Sequence, residues 1–283
     1  MNILITGATG FIGKAVCMTC EAEGWATLPI KDMRLPDDTS ALAALIARYP
    51  PDACVHCAGP ASVRDSIIDP QHDFANTVSA TFALLNVLRQ AAPRCRTLLL
   101  SSAAVYGNPQ RLPIGEDSDI CPISPYGFHK HMVEQLGAEF HQLFNMPITS
   151  ARIFSAYGVG LQRQVVWDIL QKARATPLDQ PIHLSGSGNE TRDFIHVNDV
   201  AQALVALLKF APMRAEAFNV ASGISVSIHE LAHKLAPQHQ IQFDGIIRAG
   251  DPLYWQADIS RLTALGFVCR VGLDEGLKRF FAA

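Results

Sequence analysis

A doubly wound α/β fold, a parallel sheet with helices on both faces and a smaller C-terminal lobe, is what the sequence predicts. Short runs rich in Val, Ile and Leu alternate with helical stretches over the first 155 residues, the pattern of a parallel sheet built through helical crossovers. A glycine triplet stands where the first of these runs meets the first helical stretch. Beyond residue 155 the alternation loosens.

In order, NILITG reads as the first strand, FIGKAVCMTCEAEG as a helix closed by Gly24, and WATLPI as the second strand. SALAALIARY is helical, ACVHCAG is a buried strand, and HDFANTVSATFALLNVLRQAA is one long helix. RTLLLSSA supplies the fourth strand and ITSARIF the fifth. Between them a helix begins at Ser124, a good N-cap followed by Pro125 at the first helical position. The second half holds the helix VVWDILQKARA, the strand IHLSG, the helix VNDVAQALVALLKFA, the strand AFNVAS and the helix SIHELAHKLA. A strand from Ile241 and two small helices end the chain. With no linker and no repeat, the division is residues 1–155 as the sheet domain and 156–283 as a lobe interleaved with the last sheet strands. Right-handed crossovers place a binding crevice at the carboxyl ends of the strands.

Composition excludes several classes. The 283 residues are 49 % hydrophobic with a net charge of −3, and no basic run marks a nucleic-acid partner. Apolar stretches such as AQALVALLKFA are too short to span a bilayer. A strand starting at residue 2 leaves no room for a signal peptide, so a cytoplasmic protein without membrane contact is expected. Two CxxC pairs, Cys17–Cys20 and Cys54–Cys57, raise the question of zinc. Residues three apart on a strand face opposite ways, so Cys54 and Cys57 read as core thiols and no metal site is expected.

ITGATGFIG places Gly7, Gly10 and Gly13 between a strand and a helix. Glycine permits the tight turn and the close approach of a pyrophosphate, and the helix N-terminus offers free N–H groups. This is the context of a Rossmann dinucleotide site. The Gly-x-x-Gly-x-x-Gly spacing resembles the short-chain dehydrogenase/reductase superfamily in its extended, sugar-nucleotide-modifying branch, the NAD-dependent epimerase/dehydratase family. The resemblance implies that Gly7, Gly10, Phe11, Ile12 and Gly13 hold the cofactor. It also implies that Ala58 and Gly59 in HCAGPASV face it, that Asn76 in FANTV supports the site, and that Asp32 contacts the adenine as part of an Asp-x-Arg element. No acid ends WATLPI to bind a ribose hydroxyl, while Lys31 and Arg34 lie nearby. The cofactor is therefore NAD or NADP.

SPYGFHKH puts Tyr126 in the first turn of its helix and Lys130 four residues on, on the same face. An ammonium beside a phenol favours the phenolate and brings a general acid/base toward its working pH. Ser102, at the carboxyl end of RTLLLSS and 24 residues before Tyr126, completes the group. By resemblance Ser102 and Tyr126 share a substrate oxygen and Lys130 also binds the nicotinamide ribose.

Further matches cover nearly the whole chain. RIFSAYG resembles an Arg-x-Phe-Asn-x-Tyr-Gly element in which Ser155 replaces the Asn that commonly holds substrate. GSGNETRDFIHVNDV and IIRAGDPLYW resemble elements implying that Arg192 and Arg248 clamp the diphosphate of a nucleotide-sugar, and guanidinium suits phosphate oxygens. Asp199 reads as a helix cap, and Trp167 and Trp255 as base-stacking or core residues. Ala103 and Ala104 follow Ser102 where dehydrating members carry acids, so proton-transfer chemistry at C5 is disfavoured and hydride transfer at C4 remains. Three functions stand: a nucleotide-sugar C4 epimerase, an NADPH-dependent reductase of a 4-keto-6-deoxy nucleotide-sugar, and a non-catalytic dinucleotide sensor. The resemblance also implies a homodimer through the helices at 71–92 and 124–143.

Overall fold

Six strands lie side by side in a computed structural model that describes residues 1–281. The chain begins with β1 (Asn2–Thr6), α1 (Phe11–Ala22), β2 (Ala26–Pro29), α2 (Thr39–Arg48) and β3 (Ala53–His56). It continues through α3 (Val63–Ile68), α4 (Pro70–Phe74), a π-helical turn (Ala75–Ser79) and α5 (Ala80–Ala91) to β4 (Arg96–Ser102). A 3₁₀ turn (Ala103–Tyr106), α6 (Pro125–Phe144), β5 (Ile148–Ile153), β6 (Ser155–Tyr157), α7 (Gln164–Ala175) and β7 (Ile182–Leu184) follow. Then come β8 (Thr191–His196), α8 (Val197–Phe210), β9 (Arg214–Val220), β10 (Ser225–Ser227) and α9 (Ile228–Leu235). The last elements are β11 (Ile241–Phe243), α10 (Ser260–Ala264) and α11 (Leu273–Phe281).

The main sheet runs β2-β1-β3-β4-β5-β9, and every neighbouring pair is parallel. Parallel strands need covering on both faces, and the period-two alternation of side chains decides which residue goes where. Ile3, Ile5, Val55, Leu98 and Leu100 pack with α1 and α8 on one face. Leu4, Cys54 and Leu99 pack with α2, α5 and α6 on the other. Each such fully buried aliphatic side chain contributes about 1.5–3 kcal/mol. The alternation also separates the cysteines: Cys54 lies with Cys95 on the second face, while Cys57 packs against the first beside Cys17 and Cys20. All seven thiols are free.

α6 starts as its sequence dictates. The Ser124 hydroxyl accepts from the Gly127 N–H at 3.2 Å, Pro125 occupies the first turn, and Asn145 ends the helix in the left-handed region at φ 55°.

The sheet takes its last strand, β9, and the covering helix α8 from the second half of the chain. The remaining second half has its own core, where Leu170, Leu231, Leu277 and Phe280 of α7, α9 and α11 meet Phe194 of β8. Two elements differ from the sequence expectation. The long helix expected over 72–92 is α4, the π turn and α5, and the short sheet β10-β8-β6 is additional. Asp199 does not cap its own helix. Its carboxylate accepts from the backbone N–H groups of Arg270 and Val271, tying the C-terminal segment to α8. Among the described residues no helix is long and apolar enough to cross a membrane.

Candidate active site

In the order β2-β1-β3 the winding of successive strands reverses at β1, so a crevice opens beyond the carboxyl ends of β1 and β3. Gly7 turns there at φ +64°, and a Cβ on it would lie 2.6 Å from the Ala58 nitrogen. A Cβ on Gly13 would lie 2.1 Å from the Gly7 carbonyl oxygen, so this glycine lets helix and loop pack together. Gly10 differs: its Cβ would meet only the Gly7 oxygen, at 3.2 Å. It is also the N-cap of α1, with no side chain capping the helix, so the first N–H groups stay available to an anion. Phe11 packs against the core of the second lobe and Ile12 against the sheet.

A cavity of about 260 Å³ lies beside this loop, lined by Gly7, Ile30, Arg34, Ala58, Gly59 and Asn76 among others. Glycines at the phosphate end and apolar side chains with one guanidinium at the other fit a dinucleotide. Asp32 is exposed and outside that wall, whereas Arg34 is in it. The Asn76 amide folds back on its own helix and donates to the His72 carbonyl at 2.9 Å. Its neighbour Thr77, which the sequence reading passed over, is the buried residue. Its hydroxyl has no partner, and it would lie 3.9 Å from a Cβ on Gly59. His56, between the hydroxyls of Thr6 and Thr81 at 2.7 and 3.1 Å, is held neutral because burial pushes its pKa down to about 3.

Ser102 ends β4, next to the crevice, and its hydroxyl accepts from the Ala104 N–H at 3.2 Å. α6 approaches closely because Gly127 has no side chain; a Cβ there would sit 2.6 Å from the Ala104 oxygen. That contact brings Tyr126 near Ser102, whose hydroxyl favours the phenolate. The phenol is nevertheless pushed up to about 12, first by burial and further by Asp73. The expectation that Lys130 depresses it is therefore corrected in this state of the site. The Lys130 Nζ lies 5.7 Å from the tyrosine ring centroid and donates to the Leu100 carbonyl at 3.0 Å. Its ammonium hydrogen-bonds to the backbone near the carboxyl end of β4 instead of to the phenol oxygen. Burial in turn pushes Lys130 down to about 8, with Asp73 and Cys57 acting the other way.

A second set of polar groups fixes this scaffold. Ser101 donates to Glu134 at 2.6 Å, and Arg152 forms two bonds to the same carboxylate at 2.9 and 2.8 Å. Arg152 also donates to the Tyr106 hydroxyl, which donates to Asn219. Burial would raise Glu134, but the nearby His131 and the bonds from Arg152 and Ser101 hold it at about 2. The network joins β4, α6, β5 and β9 behind the site. Asp73 and His129 form a separate buried pair.

The substrate-side residues lie in the second half. Ser155 is on β6, half-buried. Arg192, on β8, bonds among the described residues to the carbonyls of Thr191 and Leu253 and rests over the Trp255 ring at 5.7 Å. Arg248 is exposed and donates to the Ser185 hydroxyl at 3.1 Å. Both guanidiniums act on the half-buried Asp251, which burial raises and they lower. Trp255 is anchored in the core by a 3.0 Å bond to the Gly107 carbonyl, and Trp167 packs edge-on against Phe280. Neither tryptophan is free to stack on a base without giving up those contacts.

The NAD dependent epimerase/dehydratase family model matches residues 3–221. A UDP-glucuronate 4-epimerase of Thermodesulfobacterium geofontis is 27 % identical over 98 % of this chain and 94 % of its own. The structure of UDP-glucuronic acid 4-epimerase from Bacillus cereus, in complex with UDP-glucuronic acid and NAD, superimposes with a TM-score of 0.86 at 25 % identity. It covers all of this chain and 98 % of that one. RMD from Pseudomonas aeruginosa, complexed with NADPH, gives a TM-score of 0.89 at 26 % identity over 99 % and 97 % of the two chains.

Proposed function

The chain belongs to the NAD dependent epimerase/dehydratase family, and from that premise we propose that it is an NAD(P)-dependent nucleotide-sugar epimerase acting at C4. The observation that carries this reading is the meeting of Tyr126, Ser102 and Lys130 at the carboxyl end of β4, beside the glycine-lined cavity. Gly7, Gly10 and Gly13 would hold the pyrophosphate, Ala58, Gly59 and Asn76 would face the cofactor from the cavity wall, and Lys130 would hold the nicotinamide ribose. When bound, the nicotinamide supplies the hydride acceptor and then the donor.

Tyr126 takes the proton of the sugar hydroxyl and later returns it, while Ser102 holds the same oxygen. The high proton affinity of the isolated phenol suits the second step, and a positive charge arriving with the oxidised cofactor favours the first. Ala103 and Ala104, both buried, offer no second acid or base next to Ser102, so chemistry stays at one carbinol carbon. Ser155 at the start of β6, with Arg192 and Arg248 from residues 156–283, meets the sugar and diphosphate. The guanidiniums bond to neutral acceptors and so keep their charge for phosphate oxygens.

Three observations favour a second reading, the NADPH-dependent 4-ketoreductase. Arg34 lines the cavity, no acid ends β2, and the NADPH-bound RMD structure is similar throughout. The chain pairs with a second copy through α5 and α6, which leave Phe82, Phe128, Met132 and Phe144 exposed.

Incubation with UDP-glucose and UDP-glucuronate, with and without added NADPH, separates the readings. Epimer formed without added cofactor supports the first. NADPH oxidation upon addition of a 4-keto-6-deoxy nucleotide-sugar supports the second. Dinucleotide binding with no turnover on either class would leave only a sensor.

A further inference from the structure

We propose that Ser66 of α3 is a positioning residue for Tyr126: its hydroxyl holds the backbone N–H of the tyrosine and so fixes the phenol near Ser102. This rests on reading Tyr126 and Ser102 as partners in the chemistry.

The first turn of α6 leaves one donor over. A helix N-terminus presents N–H groups that no helical carbonyl can reach. Pro125 has none to offer. The Gly127 N–H goes to the Ser124 hydroxyl at 3.2 Å, and the Phe128 N–H to the Ser124 carbonyl at 3.0 Å. That leaves the N–H of Tyr126 itself, whose acceptor lies 60 residues earlier in the chain: the Ser66 Oγ, at 3.1 Å.

Ser66 is 1 % exposed. A hydroxyl has one proton to give, and Ser66 gives it to the Val63 carbonyl at 2.7 Å. Its lone pairs are left to accept, so the direction of the bond to Tyr126 is set. α3 is itself held in place. Its N-cap, Ser62, accepts from the Asp65 N–H at 3.1 Å. The loop that carries Arg248 lies against it: a Cβ on Gly250 would come within 2.8 Å of Val63, 3.2 Å of Ile67 and 3.3 Å of Ser124.

Two contacts therefore place residue 126. Through its neighbour Gly127 it is seated on the Ala104 carbonyl, and the N–H of Ala104 binds the Ser102 hydroxyl at 3.2 Å. Through its own N–H it is held by Ser66. The first contact sets how near α6 comes to β4, and the second sets how the tyrosine backbone is turned. The phenol oxygen stands at the far end of a long, rigid side chain, so a small turn at the backbone is magnified there. Misplacing a reacting group by about 1 Å can cost about 100-fold in rate.

The test uses the cofactor-free protein carrying tyrosine labelled with ¹³C at Cζ, followed by NMR. Five tyrosines give five signals, and the one lost in Tyr126→Phe is Tyr126. In the unaltered chain Ser102→Ala displaces that signal. In a Ser66→Ala background the same Ser102→Ala change is expected to displace it by about half as much or less, because residues that act through one another are not additive. A Ser66 that only stabilises the helix end would lower the melting temperature and leave the full displacement, and that result overturns the proposal. Should Ser66→Ala fail to fold, Ser66→Cys takes its place, since a thiol is close in size and a weak acceptor. A reduced displacement then supports the proposal and a full one overturns it. Failure of the underlying reading looks different: Ser102→Ala leaves the Tyr126 signal unmoved in the otherwise unaltered chain, which removes the partnership and the proposal with it.

Discussion

Lys130 is the residue at which function and stability pull in opposite directions. Its folded value of about 8 lies below the ordinary 10.5 because burial disfavours the ammonium. The unfolded chain therefore holds this proton more tightly, and the charged lysine weakens the fold. The whole of that cost is present below pH 8 and fades as pH rises toward 10.5. Lys130→Met is thus expected to stabilise the cofactor-free protein at pH 7 by about 1–3 kcal/mol while removing turnover. Thermal melts across this range should show the advantage shrinking above pH 8, and a variant less stable than its parent at pH 7 would refute the assignment. The Tyr126–Lys130 spacing is legible in the sequence because one helical turn fixes it. The partners that set the chemistry are not. Leu100 is 30 residues from Lys130 and Asp73 is 56 from His129, and only the folded sheet brings them together.

The first crossover carries the cofactor reading at the level of elements. Its three glycines serve different ends, two of them conformational and one steric toward a ligand. Gly7 and Gly13 cannot accept a methyl group without moving backbone, but Gly10 has an allowed φ of −75° and only one contact at 3.2 Å. Gly10→Ala should therefore keep its melting temperature within a few degrees and weaken NADH or NADPH binding by about 10-fold or more, measured by cofactor fluorescence. Unchanged affinity would remove the phosphates from this loop. The pattern of strands and helices in the first half is readable because both periods are long enough to register. The π turn is not readable: within it the Asn76 amide folds back on its helix while Asn76 still lines the cavity, and the Thr77 hydroxyl lies under Gly59. β6, β8 and β10 are not legible because strands of three to six residues are too short for a period of two to stand out from the flanking chain.

Taken whole, the molecule is a sheet finished by its own second half. β9 and α8 pack into the sheet domain, and β6 and β8 carry Ser155 and Arg192. Interleaving of this kind is foreseeable from the unbroken, linker-free sequence, although the strand order is not, since no local pattern says that β9 joins β5. The exposed rings on α5 and α6 predict a dimer, with light scattering giving twice the mass of one chain. Phe128→Asp, at a position 51 % exposed, should give the single-chain mass with little loss of folding, and a single-chain mass for the unaltered protein would contradict the pairing. The central claim is that this assembly moves a hydride to and from C4 under the control of Tyr126. Turnover of UDP-glucose or UDP-glucuronate carrying deuterium at C4 tests it most directly. The account predicts that the label stays at C4 in both epimers and that Tyr126→Phe is slower by about 100-fold or more; deuterium lost to water, or an undiminished rate in the variant, would contradict it.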